Sequence, residues 1–208
     1  MSKARIETLS DGIFAIAVTL LVVTISLPGV GEYTNLAHQL LKRWPSFAAY
    51  VITFAVIGVM WLNHHSIFAH FKDVVDRTFF YLNMLLMMTI AFLPYPTGVF
   101  GEALGNGEGT RTAAVFYSAT MTVNAVAWSA LWLYASVGRR LLVPAFPESE
   151  RRLSTTLFVS GPGAYAVSVL VALVNAYACL AFHALLAVYY AFDPLSRRAA
   201  HGAQPPEG

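Results

Sequence analysis

The sequence predicts an all-α membrane protein, a polytopic bundle of six transmembrane helices. Three observations lead there. Hydrophobic residue types make up 57% of the 208 residues and charged types 12%, against roughly 45–50% and 25% in soluble domains. The Asp, Glu, Lys and Arg residues gather at intervals and leave long stretches free of charge. Within those stretches the apolar residues run on without the alternation of a barrel strand, so helices are the form that can satisfy the backbone in lipid.

The charge-free stretches run from Gly12 to Gly31, Trp44 to Phe71, Thr78 to Gly101, Thr112 to Gly138 and Leu153 to Phe192, and they hold 20, 28, 24, 27 and 40 residues. A helix needs about 20 residues to cross roughly 30 Å of hydrocarbon. The first four stretches therefore hold one span each and the fifth holds two. The spans expected are Gly12–Leu27, Phe47–Ser66, Phe79–Pro94, Ala113–Tyr134, Thr155–Leu173 and Tyr177–Phe192.

Basic residues test the sixth span. With six spans and the N-terminus inside, Lys3, Arg5, Lys72, Arg77, Arg139, Arg140, Arg151, Arg152, Arg197 and Arg198 lie in the cytoplasm, and Lys42, Arg43 and Arg111 lie outside. A five-span arrangement would export the C-terminal pair. The positive-inside rule prefers six, with a tight turn near Val174–Ala176 and both termini on the cytoplasmic side of the cell membrane. The first span carries Asp11 at its head and reads as retained structure rather than a cleaved signal.

What remains is short connections. Residues 1–195 are expected to form one six-span transmembrane domain, and residues 196–208 a disordered cytoplasmic tail. The Gly98–Gly109 segment between spans three and four is polar and glycine-rich. Cys179 lies in an apolar run and suggests neither a disulfide nor a thiolate metal site. Net charge is +2, and no basic cluster argues for nucleic acid.

The first helix carries the sharpest pattern. It reads Arg5-Ile6-Glu7-Thr8-Leu9-Ser10-Asp11-Gly12 and continues into an apolar run. Ser10 and Asp11 are placed to cap the helix that follows. A second reading pairs Asp11 with Arg5 near the membrane surface, because an unpaired buried carboxylate is costly there. Ile16, Thr19, Leu20, Val23 and Leu27 recur at three- and four-residue steps and share one face. The opposite face is apolar too, so periodicity alone does not say which side meets lipid.

The run RIETLSDGIFAIAVTLLVV resembles the signature of bacterial members of the transmembrane protein 175 family of potassium channels. That pattern is an Arg, three intervening residues, Phe-Ser-Asp, Gly or Ala, and a Thr eight positions after the Asp. Arg5, Leu9, Ser10, Asp11, Gly12 and Thr19 stand there, with Leu9 in place of the usual Phe. The second span ends in WLNHHSIF, similar to the Trp-, Asn- and His-rich end of the family's second helix.

The resemblance implies a homotetramer of six-helix subunits around a central pore lined by the first helix. Family pore positions fall on Ile16, Leu20 and Val23, with the Thr19 hydroxyl near the Ile16 ring. Four branched aliphatic side chains on an axis can dewet a pore and block ions. The permeant ligand would be potassium, with no other cofactor, and the partners would be further copies of the chain, membrane lipid and monovalent cations.

Trp61, Asn63, His64 and His65 cluster near the end of span two. Adjacent histidines point about 100° apart on a helix, which argues against a shared metal. One reading has Asn63 and a histidine holding Arg5, Ser10 or Asp11 in a structural or gating network. The other leaves Trp61 as an interfacial anchor and the histidines in water. Asn83, Asn124 and His183 lie within spans and are expected to bond across helices. Gly161-Pro162-Gly163 should kink or interrupt span five.

The leading function is a potassium-permeable channel. The alternative is a secondary ion or small-solute transporter, for which a broken fifth span would serve, although no paired repeat accompanies it. An enzyme is not expected: its mark would be His, Asp and Glu clustered at one depth, and the nearest approach is Asp11 with His64 and His65.

Overall fold

A computed structural model of the chain describes residues 1–27, 29 and 32–192. The described residues form eight α-helices: α1 (Lys3–Val23), α2 (Leu36–Lys42), α3 (Trp44–Ala69), α4 (Arg77–Phe92), α5 (Pro94–Asn106), α6 (Thr110–Ser136), α7 (Glu148–Val174) and α8 (Ala176–Ala191). The tail expected to be disordered, with Arg197 and Arg198, lies outside them.

Four helical stretches are long and apolar enough to cross a membrane: Lys3–Val23, Trp44–Ala69, Arg77–Asn106 and Glu148–Val174. α8 is apolar but shorter, about 24 Å at about 1.5 Å per residue. α6 is long, yet Ser118, Asn124 and Ser129 lower its hydropathy. It affords them because it is the central helix, packed against α4, α5, α7 and α8, so its polar groups face protein rather than lipid.

α1 begins two turns earlier than its apolar run suggests. Ser10 and Asp11 lie inside the helix and Ser2 occupies the N-cap, so neither is a cap. The early start is anchored from outside the helix. The Met1 ammonium donates to Val75 O at 2.7 Å, and Lys3 N–H donates to Asp73 O at 2.8 Å. Asp76 caps α4 by accepting from Phe79 N–H at 2.8 Å. That bond, with one from the Tyr134 hydroxyl, holds the Asp76 carboxyl below the usual carboxylate range.

The third span also runs on. The chain turns at Leu93 and continues as α5, which includes much of the glycine-rich segment. Pro94 is tolerated because the first turn of a helix needs no N–H donor there. Gly98 and Gly101 are demanded by contact: a Cβ at either would stand 2.8 Å from Thr24 Cβ or Ser46 Cα. Their composition reads as a loop, but their job is close packing of α5.

α7 is not interrupted, although Pro162 stands within it. A proline there leaves the carbonyl four residues back without its N–H donor. That carbonyl is Phe158 O, and the Ser129 hydroxyl of α6 lies 2.5 Å from it. Side chains of neighbouring helices relieve such freed groups in membrane helices. At the far end of α7, Asn175 is extended and its side chain accepts from Ala178 N–H at 2.9 Å, starting α8 directly.

The loops gather at two ends. At one, Lys72 N–H donates to Leu141 O at 2.8 Å and Val143 N–H to His70 O at 3.0 Å, beside the docked N-terminus. Lys3, Arg5, Lys72, Arg77, Arg139, Arg140, Arg151 and Arg152 share this end. At the other, Trp44 stacks on Tyr177 at 6.1 Å and the Tyr177 hydroxyl donates to Leu104 O at 3.1 Å. Lys42, Arg43 and Arg111 belong to that end.

Candidate pore helix and its polar network

α1 presents two unlike sides. Ile6, Ser10, Phe14, Ala17 and Leu21 are buried, spaced three and four apart as one helical stripe must be. This stripe packs on α3, α4 and α5. The other side is uncovered: Ile16 is 60% exposed, Leu20 47% and Val23 74%. Thr19 is exposed among them, and its hydroxyl donates to Ile16 O at 2.9 Å. The oxygen of Thr19 is thus held outward with acceptor capacity to spare.

The buried side is fixed by a directed chain of hydrogen bonds. His64 Nε2 lies 3.0 Å from Asn83 Oδ1, and since the amide oxygen only accepts, the imidazole donates through Nε2. Asn83 Nδ2 donates to Ser10 Oγ at 2.9 Å. Ser10 Oγ donates to Ile6 O at 2.9 Å. One donor direction runs from α3 through α4 into α1. Aromatic faces enclose the imidazole, with Phe68 stacked at 4.0 Å and Phe14 edge-on at 5.5 Å.

A second, exposed set of contacts joins the same helices. Trp61 Nε1 donates to Asp11 Oδ1 at 2.9 Å, and His65 Nδ1 lies 3.3 Å from Glu7 Oε1. Glu7 and Asp11 are four apart, as are Trp61 and His65, so two antiparallel helices match rung to rung. His64 points inward and His65 outward, and among the described residues no group of three or more His, Cys, Asp or Glu is placed to hold a metal.

Two sequence expectations need correction. Arg5 and Asp11 form no ion pair among the described residues. Six positions place them about 120° apart around the helix, and Arg5 falls on the side of Leu9 and Ile16. Asn63 belongs to no part of the network, since its Oδ1 is buried without a partner and lines a cavity instead. Glu7 and Asn83 take the places given to Arg5 and Asn63. The four-residue spacing of Glu7 to Asp11 was the available signal for the first. Nothing in the sequence distinguishes Asn83 from Asn63 as the amide that meets Ser10.

The remaining membrane amide and imidazole also bond across helices. Asn124 donates to Thr89 Oγ1 at 2.7 Å, and His183 Nε2 lies 3.1 Å from Ser118 Oγ.

A protein of Streptomyces collinus named as a potassium channel is 39% identical over 203 residues, covering 98% of each chain. Another so named, from Chamaesiphon minutus, is 38% identical over 189 residues and covers 90% of this chain and 92% of its own. A crystal structure described as a lysosomal potassium-selective channel TMEM175 homolog from Chamaesiphon minutus superposes with a TM-score of 0.81 at 36% identity, covering 91% of this chain and 96% of that one. The model of the family described as endosomal/lysosomal potassium channel TMEM175 matches residues 5–94, which include α1 from Arg5 onward, α3, α4 and both sets of contacts that join them. The chain is a multi-pass membrane protein of the TMEM175 family.

Proposed function

We propose that this chain is the subunit of a potassium-permeable channel, four copies of which enclose a pore lined by the uncovered side of α1. The observation that carries the reading is the uncovered stripe itself: Ile16, Leu20 and Val23 stand out from a helix whose opposite side is tied down by Ser10. A helix fixed from behind can present its front to an axis without being needed for the subunit's own core. Ile16 forms the principal constriction, Leu20 and Val23 add further apolar rings, and Thr19 offers hydroxyl oxygens beside the first. Such rings exclude water when narrow and conduct when a small rotation or dilation wets them. The names given to the relatives supply the ion.

Planar-bilayer recording from purified protein tests this. Ile16→Asn should wet the constriction, raise resting conductance severalfold and erode discrimination between potassium and sodium. Ile16→Ala changes width more than polarity and should alter selectivity less. If both variants keep the parental conductance and permeability ratio, Ile16 lies outside the narrow pore.

The topology belongs to the same proposal. Six spans with the N-terminus cytoplasmic put ten basic residues inside and three outside, and the two-ended loop arrangement supports alternation of the helices. Cysteines placed at Ser2 and Pro205 should label from the cytoplasmic side in both cases. Labelling from opposite sides would remove one span.

A further inference from the structure

Away from α1, a cavity of about 70 Å³ lies between α3, α6, α7 and α8. α3 packs chiefly on α1, α5 and α8, while α7 packs on α6 and α8, so the cavity occupies the seam between α3 and α7. Trp128 and Phe158, stacked at 5.7 Å, form one wall, and Gly161 leaves another open.

Two asparagines with unpartnered amide oxygens line this apolar space. Asn124 is 1% exposed, and its Oδ1 has no hydrogen-bond partner. Its orientation is fixed from the other side. The Thr89 hydroxyl donates to Leu86 O at 2.7 Å, so towards Asn124 it can only accept, and it takes the amide N–H. The amide oxygen is left on the side away from Thr89, and Asn124 lines the cavity. Asn63 Oδ1, also buried and unpartnered, lines the same space. An amide acceptor left without a donor is costly, and two at one cavity select a ligand that brings a proton to share.

We propose that this cavity binds a small neutral alcohol, its hydroxyl donating to Asn124 Oδ1 and its aliphatic body lying against Trp128 and Phe158. No carboxylate lines the cavity, so an ammonium there would have no countercharge at membrane depth. Size selects further. The volume is roughly half that of a cavity known to hold benzene, which suits a ligand of about three or four heavy atoms. The site lies within one subunit and shares no residue with α1.

Crystals of the full chain soaked with 2-bromoethanol, and separately with bromoethane, test the proposal through the anomalous signal of bromine. The alcohol should occupy the cavity with its oxygen on Asn124 Oδ1. Half-occupancy should need about fivefold less of the alcohol than of the alkane, as one net hydrogen bond implies. Asn124→Leu should erase that preference, and Ala125→Met should fill the cavity and exclude both probes. Equal occupancy by alcohol and alkane, or a cavity holding only water or a detergent chain, would overturn it. If Asn124→Leu does not fold, the comparison of the two probes in the unaltered chain still decides. None of these readouts depends on conduction.

Discussion

The two sides of α1 are both rich in aliphatic residues, yet the structure asks opposite things of them. The buried side carries Phe14 and Leu21, 2% and 0% exposed, and spends its one hydroxyl, on Ser10, inside a three-residue relay. The uncovered side carries Ile16, Leu20 and Val23, and its hydroxyl, on Thr19, is spent on its own backbone. A side bound by shape and directed hydrogen bonds cannot change without loosening the subunit. A side bound by neither is free to be shaped by what passes along it. Stability and conduction should therefore separate by face.

The sharpest way to break that separation is to truncate both faces alike. Phe14→Ala leaves a void against His64. Lipid removes the water-exclusion part of the cost, but the lost contacts remain, and the destabilisation should be about 3 kcal/mol. Leu20→Ala should change stability by less than about 0.5 kcal/mol while altering conductance. Unfolding of the purified protein in mixed micelles measures the first, and bilayer recording the second. Equal destabilisation by the two substitutions would make the uncovered side a packing surface rather than a conducting one.

The hydrogen-bond relay is expected to come next in size. Asn83→Leu leaves Ser10 Oγ without its N–H donor and His64 Nε2 without an acceptor, all in a buried place. Cross-helix bonds in membranes average only about 0.6 kcal/mol, but orphaned groups cost more than the bond was worth, so a loss of about 2 kcal/mol is expected. Ser10→Ala alone should cost less, because Asn83 keeps His64. If Asn83→Leu unfolds no more readily than the parent, the relay does not fix α1, and the argument from a rigid back to a mobile front fails.

How much of this the sequence carried depended on whether the cause was local. The helices were legible because charges mark where the chain leaves lipid, and this holds for Arg77, Arg139 and Arg140 alike. The start of α1 was not legible, because it is set by Val75 O and Asp73 O, seventy or more positions away. α5 was hidden because Gly98 and Gly101 signal a loop by composition and close packing only by their neighbours, Thr24 and Ser46. The relay was half legible: Ser10 and His64 stood out, but only the fold chooses Asn83 over Asn63. Pro162 pointed to a kink or interruption from its own chemistry, yet α7 runs on through it, because the Ser129 hydroxyl that relieves Phe158 O could not be seen from α7 alone.

The smallest effect belongs to Asp11, and it separates a contact that holds α1 from one that shapes the pore. Asp11 accepts from Trp61 at an exposed place, on neither the packed stripe nor the Ile16 side. Asparagine can present the same kind of oxygen to the indole N–H, so Asp11→Asn should shift stability by less than about 0.5 kcal/mol. Asp11→Leu removes the acceptor and should cost about 1 kcal/mol, the ordinary worth of a hydrogen bond to a charged group at a partly wet site. Trp61→Phe should cost about the same, and the double variant no more than either alone, since the two side chains share one interaction. Open probability should fall in step with that loss, because α1 is less firmly held to α3. The potassium-to-sodium permeability ratio should not move in any of the three. A changed ratio with unchanged stability would put Asp11 in contact with permeating ions, and the division of α1 into a holding side and a conducting side would have to be redrawn around it.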